Sequence, residues 1–85
     1  MRVTVISAER SLYDGEARAV RAPAFDGEVG ILPRHAAFLT LLGSGTLTVA
    51  ADKRTDRFLV NGGFLQVVED VVRVVAEQAE PSPET

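Results

Sequence analysis

Apolar residues recur at every second position through most of this chain. Residues 2–7 read Arg-Val-Thr-Val-Ile-Ser, which puts Val3 and Val5 on one side of an extended backbone and Thr4 and Ile6 on the other. In residues 17–22, Ala17, Ala19 and Arg21 alternate with Arg18, Val20 and Ala22, and further on Leu47 and Val49 turn inward between Thr46 and Thr48. Turn signals punctuate these runs. Asp14-Gly15, Asp26-Gly27, a glycine-rich stretch at residues 43–45, a charged loop at residues 51–56, Asn61-Gly62-Gly63 and Glu69-Asp70 recur about every 8 to 12 residues. Asn61-Gly62-Gly63 is the strongest hairpin signal among them, and it predicts a reversal between residues 57–60 and 64–68. No apolar stripe of period 3.6 competes, so the pattern predicts an all-β sandwich or barrel. Residues 71–76, Val-Val-Arg-Val-Val-Ala, are apolar on both faces, and an opposite sheet can cover only one. The other face calls for a partner.

Composition narrows the picture. At 85 residues and 46% hydrophobic, the chain supports one small core, because a domain of this size buries only roughly 60% of its unfolded surface. There are no cysteines, so neither disulfides nor a cysteine-based zinc site reinforces that core. Net charge is −3, and the acidic excess falls after Arg34. Without a basic stripe, binding to nucleic acid is excluded, since neutralising phosphates supplies most of that affinity. The N-terminus alternates where a signal peptide would run continuously apolar, and no stretch of ~18 apolar residues exists to span a bilayer. The expectation is a soluble intracellular domain over residues 1–79, able to sit against a membrane complex without inserting. Residues 80–85, with two prolines and acidic side chains, are expected to form a disordered tail.

The candidate chemistry concentrates in residues 27–40, Gly-Glu-Val-Gly-Ile-Leu-Pro-Arg-His-Ala-Ala-Phe-Leu-Thr, which hold the only histidine, His35. None of Ser7, Ser11, Ser44 or Ser82 sits in a nucleophile-elbow sequence that would pair with it. One histidine without cysteine is a poor start for a metal site. The Gly27–Gly30 pair lacks the Gly-Lys-Ser/Thr that completes a phosphate loop, and Glu28 would repel phosphate. The glycines suit tight bends, and Pro33 fixes its own φ and biases Leu32 towards extended geometry. The result is a stiff loop displaying Glu28, Arg34 and His35. A preformed loop avoids the ordering cost of roughly 1 kcal/mol or more per residue that a flexible one meets on binding. The carboxylate pairs Glu69-Asp70, Asp52/Asp56 and Glu77/Glu80 read as solvated charge rather than acid/base machinery. No catalytic residue, cofactor or metal is expected.

Taken together, Val-Ile-Ser-Ala-Glu from Val5, Gly-Glu-x-Gly-Ile-x-Pro-x-His-Ala from Gly27, and Gly-Gly-Phe-x-x-Val from Gly62 resemble the N-terminal domain of the epsilon subunit of F-type ATP synthase, in order from Val3 to about Ala79. The resemblance implies a flattened ten-stranded β-sandwich at the foot of the central stalk, non-catalytic, peripheral on the cytoplasmic face of the energy-transducing membrane. Such a domain fastens the gamma subunit to the c-ring, and so couples ion translocation to ATP synthesis. Carried over by motif, Glu28, Ile31 and Leu32 would meet the c-ring, while Ser7, His35 and Thr40 would face gamma. Gly27, Gly30, Pro33, Gly62 and Gly63 would hold structural turns. Ala37 departs from the proline usual in the family after His-Ala, and the resemblance leads to the expectation of a short form, lacking the C-terminal helical hairpin that usually follows the sandwich. The residues by themselves also leave open a stand-alone β-barrel binding a small ligand, or another protein-interaction module. A barrel of that kind would need a pocket with convergent polar groups.

Overall fold

A computed structural model describes residues 1–82, and every regular element among them is a strand. Eight strands form: β1 (Arg2–Ser7), β2 (Ser11–Glu16), β3 (Ala19–Ala24), β4 (Gly27–Ile31), β5 (Phe38–Leu41), β6 (Ser44–Ala50), β7 (Thr55–Val68) and β8 (Val71–Pro81). They hydrogen-bond in the order β2-β1-β8-β7-β6-β3-β4, with β5 also on β7. The path has two ends, so the sheet does not close into a barrel. The alternation holds: Val3, Val5, Val20, Leu47, Val49, Leu65, Val72 and Val74 are buried in one apolar cluster.

The hairpin expected at Asn61-Gly62-Gly63 is corrected. Asn61, Gly62 and Gly63 lie inside β7, which runs unreversed for 14 residues. The two halves of β7 serve different neighbours: residues 55–61 pair β6 and the far end of β8, while residues 63–68 pair β5 and residues 71–76 of β8. The long strands therefore pass through both halves of the sandwich, bending between them. One layer contains β2, β1, the first part of β8, the second part of β7, and β5. The other contains the second part of β8, the first part of β7, β6, β3 and β4. Counting each half of β7 and β8 apart gives the ten of the sequence expectation.

Glycine makes the bend possible. Gly62 and Gly63 have φ of 74° and 105°, a region side chains avoid. A Cβ on Gly63 would strike the Val75 carbonyl oxygen and lie 2.8 Å from Ala76 Cα. Across the joint, Leu42 N donates to Gly63 O (2.9 Å) and Gly62 N donates to Gly43 O (3.2 Å). The expected reversal at residues 43–45 is thus only an interruption: β5 and β6 keep a single register against β7 on either side of it.

Two other turn readings also change. Asp14-Gly15 is not a turn but part of β2, paired with Thr4 and Val3. Glu80 and Pro81 close β8 opposite Leu59 and Phe58, and Ser82 N donates to Arg57 O at 2.9 Å. The expected tail is therefore ordered up to Ser82, and residues 83–85 lie outside the described residues. Asp26-Gly27 and Glu69-Asp70 do reverse the chain, between β3 and β4 and between β7 and β8. The pairing of β1 with β8 is parallel and joins the two ends of the sequence.

Candidate functional site

The register determines what the first layer shows to solvent. Leu41 pairs Phe64, Phe64 pairs Val75, and Val75 pairs Ile6, so an apolar row crosses four strands at right angles to them. Because their inward neighbours Leu65, Val74 and Val5 fill the core, these four side chains turn outward. Leu39 and Leu41 are 66% and 61% exposed, and Phe64 37%. A hydrogen bond from Phe25 N to Leu41 O (3.0 Å) brings exposed Phe25 beside them. Together with Thr40 and Gln66 these residues line a shallow open groove. An apolar surface of this continuity, on a domain whose core is already full, is a candidate contact surface.

Of the three residues expected to face gamma, Ser7 and Thr40 border this row, and His35 lies at the opposite end of β5 from Leu41. Ser7 follows Ile6 at the β1 end, where its hydroxyl accepts from Glu9 N (3.3 Å) and reaches Arg10 O (3.5 Å), pinning the turn to β2. Thr40 stands beside Leu41 at the other end, but it pairs Leu65 and shares that residue's inward sense. It borders the groove while Leu39 and Leu41 provide the surface. His35 is half-buried just before β5, its ring edge-on to Phe38 with centroids 5.6 Å apart and its Nδ1 2.7 Å from Ala36 O. The exposed leucines and Phe64, which make the surface, are absent from the motif-derived residues. The sequence signal that could have found them is the period-two alternation of residues 38–41 and 64–68 once both strands are set in one layer.

The residues expected to meet the c-ring divide. Glu28 is exposed on β4, in the other layer, and accepts from Arg21 Nη2 of β3 at 2.7 Å. Leu32 is exposed just beyond the strand. Ile31 is 0% exposed and packs in the core, opposite Val20, so it cannot touch a partner. Strand parity explains this: Ile31 points inward while Glu28 and Gly30, opposite Pro23 and Arg21, point outward. Gly27 takes the positive φ expected of it, at 134°, whereas Gly30 is an ordinary strand residue.

The loop after Ile31 is stiff for reasons only partly visible in the sequence. Pro33 starts a tight turn closed by His35 N donating to Leu32 O (3.2 Å), with Arg34 at φ 66° in the position where such turns favour glycine. That conformation is held by Asp70, whose Oδ1 accepts from Arg34 N at 2.8 Å. Asp70 lies in the β7–β8 turn, itself at φ 65°, and its carbonyl accepts from Arg2 N (3.1 Å). One aspartate therefore ties the displayed loop to the end of the first layer.

Among the described residues, no three histidine or acidic side chains converge on a space that would hold a metal, and no polar residue is buried in the core. The guanidinium of Arg54 is raised from its ordinary pKa by its hydrogen bond to Asp56 and that residue's charge, in a hairpin loop away from both groups.

The fold is that of a small, open, two-layered β-sandwich domain with one apolar outer face and a braced loop. The chain matches the family described as "ATP synthase, Delta/Epsilon chain, beta-sandwich domain" over residues 1–82, and it belongs to that family. It is similar to the ATP synthase epsilon chain of Hydrogenovibrio crunogenus, at 46% identity over 79 residues, covering 93% of this chain and 55% of that one. With the epsilon chain of Acidithiobacillus ferridurans it shares 49% identity over 78 residues, covering 92% and 55%. The chain thus spans about 55% of the length of these relatives. Among solved structures it resembles a chain in the Euglena gracilis mitochondrial ATP synthase OSCP/F1/c-ring assembly, with a TM-score of 0.85 and 26% identity over 93% of this chain and 51% of that one. A chain of the Tetrahymena thermophila mitochondrial ATP synthase central stalk and c-ring shares the fold, with a TM-score of 0.80 at 17% identity, covering 94% and 65%.

Proposed function

We propose that this sandwich is a non-catalytic rotor element of an F-type ATP synthase, which fastens the gamma subunit to the c-ring so that the two turn together. The observation that carries the reading is the outward row Ile6, Val75, Phe64 and Leu41, an apolar band on a domain that has its own complete core. This face, bordered by Ser7 and Thr40 and with His35 before the start of β5, is the one assigned to gamma. Glu28 and Leu32, carried by β4 and the loop beyond it, are assigned to the c-ring. The similarity to epsilon chains and to chains of ATP synthase stalk assemblies supports both assignments.

The two surfaces suit different tasks. Coupling ion translocation to ATP synthesis requires a joint that transmits torque, and a rigid sheet does so without deforming. A standard interface of about 800 Å² per partner would cover roughly 15% of the 5238 Å² surface. The apolar face supplies affinity. An exposed carboxylate such as Glu28 contributes about 0 to 1 kcal/mol to a surface ion pair and sets register instead. Attached in this way, the domain works at the cytoplasmic face of the membrane as a peripheral part of the complex.

The test is reconstitution with gamma and the c-ring from the same organism. A complex that co-elutes and loses ion-coupled ATP synthesis when this chain is omitted is the expected result. A chain that stays monomeric beside both partners at micromolar concentration overturns the proposal.

A further inference from the structure

The row beside the apolar one contains a charge that the fold leaves unanswered. On the outer face of the first layer, Leu39 pairs Gln66, Gln66 pairs Arg73, and Arg73 pairs Thr4. Arg73 is exposed, with Val71 and Val75 before and after it on β8. Among the described residues it has no ion-pair partner within 4.0 Å. The one acidic side chain in its own row, Asp14 opposite Thr4, is taken by Arg2, whose Nε and Nη2 donate to Asp14 Oδ1 at 2.9 and 2.7 Å. Glu69 and Asp70 lie in the turn beyond Val71, where Asp70 is engaged by the Arg34 amide.

A guanidinium in the middle of a face that becomes covered loses its water, and a desolvated cation without a counter-charge strongly opposes association. The face can be covered favourably only by a surface that brings a carboxylate to Arg73 and aliphatic side chains to the row of Leu41, Phe64, Val75 and Ile6. We infer that Arg73 is the register-setting contact of this face, and that the docked surface of gamma presents an acidic residue bordered by apolar ones. The inference rests on the assignment of this face to gamma. A planar guanidinium grips a carboxylate through two parallel hydrogen bonds, so it fixes orientation as well as position. The apolar row alone would tolerate sliding along its own direction. Arg73 removes that freedom.

The experiment measures the affinity of this chain for the gamma subunit of the same organism, at low and high salt, for Arg73→Gln, Arg73→Glu, Arg73→Lys and Phe64→Asp. Both positions are exposed, and a thermal melt of each of the four variants identifies any that fails to fold. Kd is expected to rise about tenfold for Arg73→Gln and about a hundredfold for Arg73→Glu. Arg73→Lys should lie between native and Arg73→Gln, and the salt dependence of binding should weaken in Arg73→Gln. If the Arg73 variants bind like the native chain while Phe64→Asp does not bind, the charge inference is overturned and the assignment of the face stands. If Phe64→Asp also binds like the native chain, that assignment itself fails, and the inference with it.

Discussion

On the first layer, the outward positions crossing the sheet are Ile6, Val75, Phe64 and Leu41; on the second, one such crossing is Glu80, Leu59 and Thr46, and the next is Arg57, Thr48 and Arg21. Both layers obey the same alternation, and both contribute inward valines and leucines to one core. They differ only in what the other parity carries. The second face is finished against water, and among the described residues Leu59 is the one large exposed apolar side chain on its strand segments. The first is finished only when something covers it. In a sheet with one face on the core and one on solvent, the inward set specifies the fold and the outward set specifies the company it keeps.

The bend that creates two faces is the point where the comparison breaks most severely. Gly63→Val sets a branched side chain at φ 105°, against the Val75 carbonyl and Ala76 Cα. Strain at such a position costs about 1 to 3 kcal/mol, and the collision with backbone adds to it. A loss of about 3 kcal/mol or more should lower the melting temperature of a domain this size by at least 12 °C. Circular dichroism during heating measures it. A native-like melt would mean that the layers fold over without glycine's freedom.

Second in size is the effect of one charge placed on each face. Phe64→Asp interrupts the apolar row, and Thr48→Asp makes the matching change on the polar layer. Phe64 is expected to behave as an interface hot spot, worth about 2 kcal/mol or more, so its variant should bind gamma at least thirtyfold more weakly. Thr48→Asp should bind like the native chain. Equal losses from both would show that the two faces are not distinct in function.

The sequence is legible where a residue's environment is local. Alternation predicted the all-strand fold and the inward set of Val3, Val5, Leu47 and Val49, and the two-residue turn at Glu69-Asp70 was found because the apolar runs on either side frame it. Asn61-Gly62-Gly63 was misread because glycines with positive φ serve a hairpin and a bend within a strand equally. Only the partner strands β5, β6 and β8, which continue on both sides, separate the two. Ile31 was read as a contact from its place in a loop motif, whereas its parity on β4 buries it. Asp70 was read as solvated charge because its contact with Arg34 spans 36 residues and depends on the fold.

Asp70 offers the third way to probe the first layer, through the loop at its margin. Asp70→Ala removes the acceptor of the Arg34 amide and leaves a non-glycine residue at φ 66° without its brace. The expected loss is about 1 kcal/mol, or about 4 to 8 °C in melting temperature. Asp70→Asn keeps an acceptor oxygen and should recover most of it. Amide exchange at Arg34 provides the direct readout: it should accelerate in the alanine variant, and unchanged protection would assign the loop's stiffness to Pro33 alone.

The smallest expected effect concerns the second layer, where Arg21 and Glu28 meet at 2.7 Å on strands β3 and β4. Both side chains are more than half exposed, so the pair should contribute only about 0.2 to 1 kcal/mol to folding, less as salt is raised. A double-mutant cycle with Arg21→Ala and Glu28→Ala measures that coupling. Exchanging the two residues, with Arg21→Glu and Glu28→Arg in one chain, is the sharper comparison. The exchanged pair preserves the internal attraction and should melt like the native chain, but it reverses the charge offered at the position assigned to the c-ring. Weaker attachment to the ring at unchanged stability is the expected result, since register across an interface depends on the sign of the charge presented. Native-like attachment of the exchanged chain would confine Glu28 to bracing β3 against β4, and Leu32 would then carry the ring contact alone.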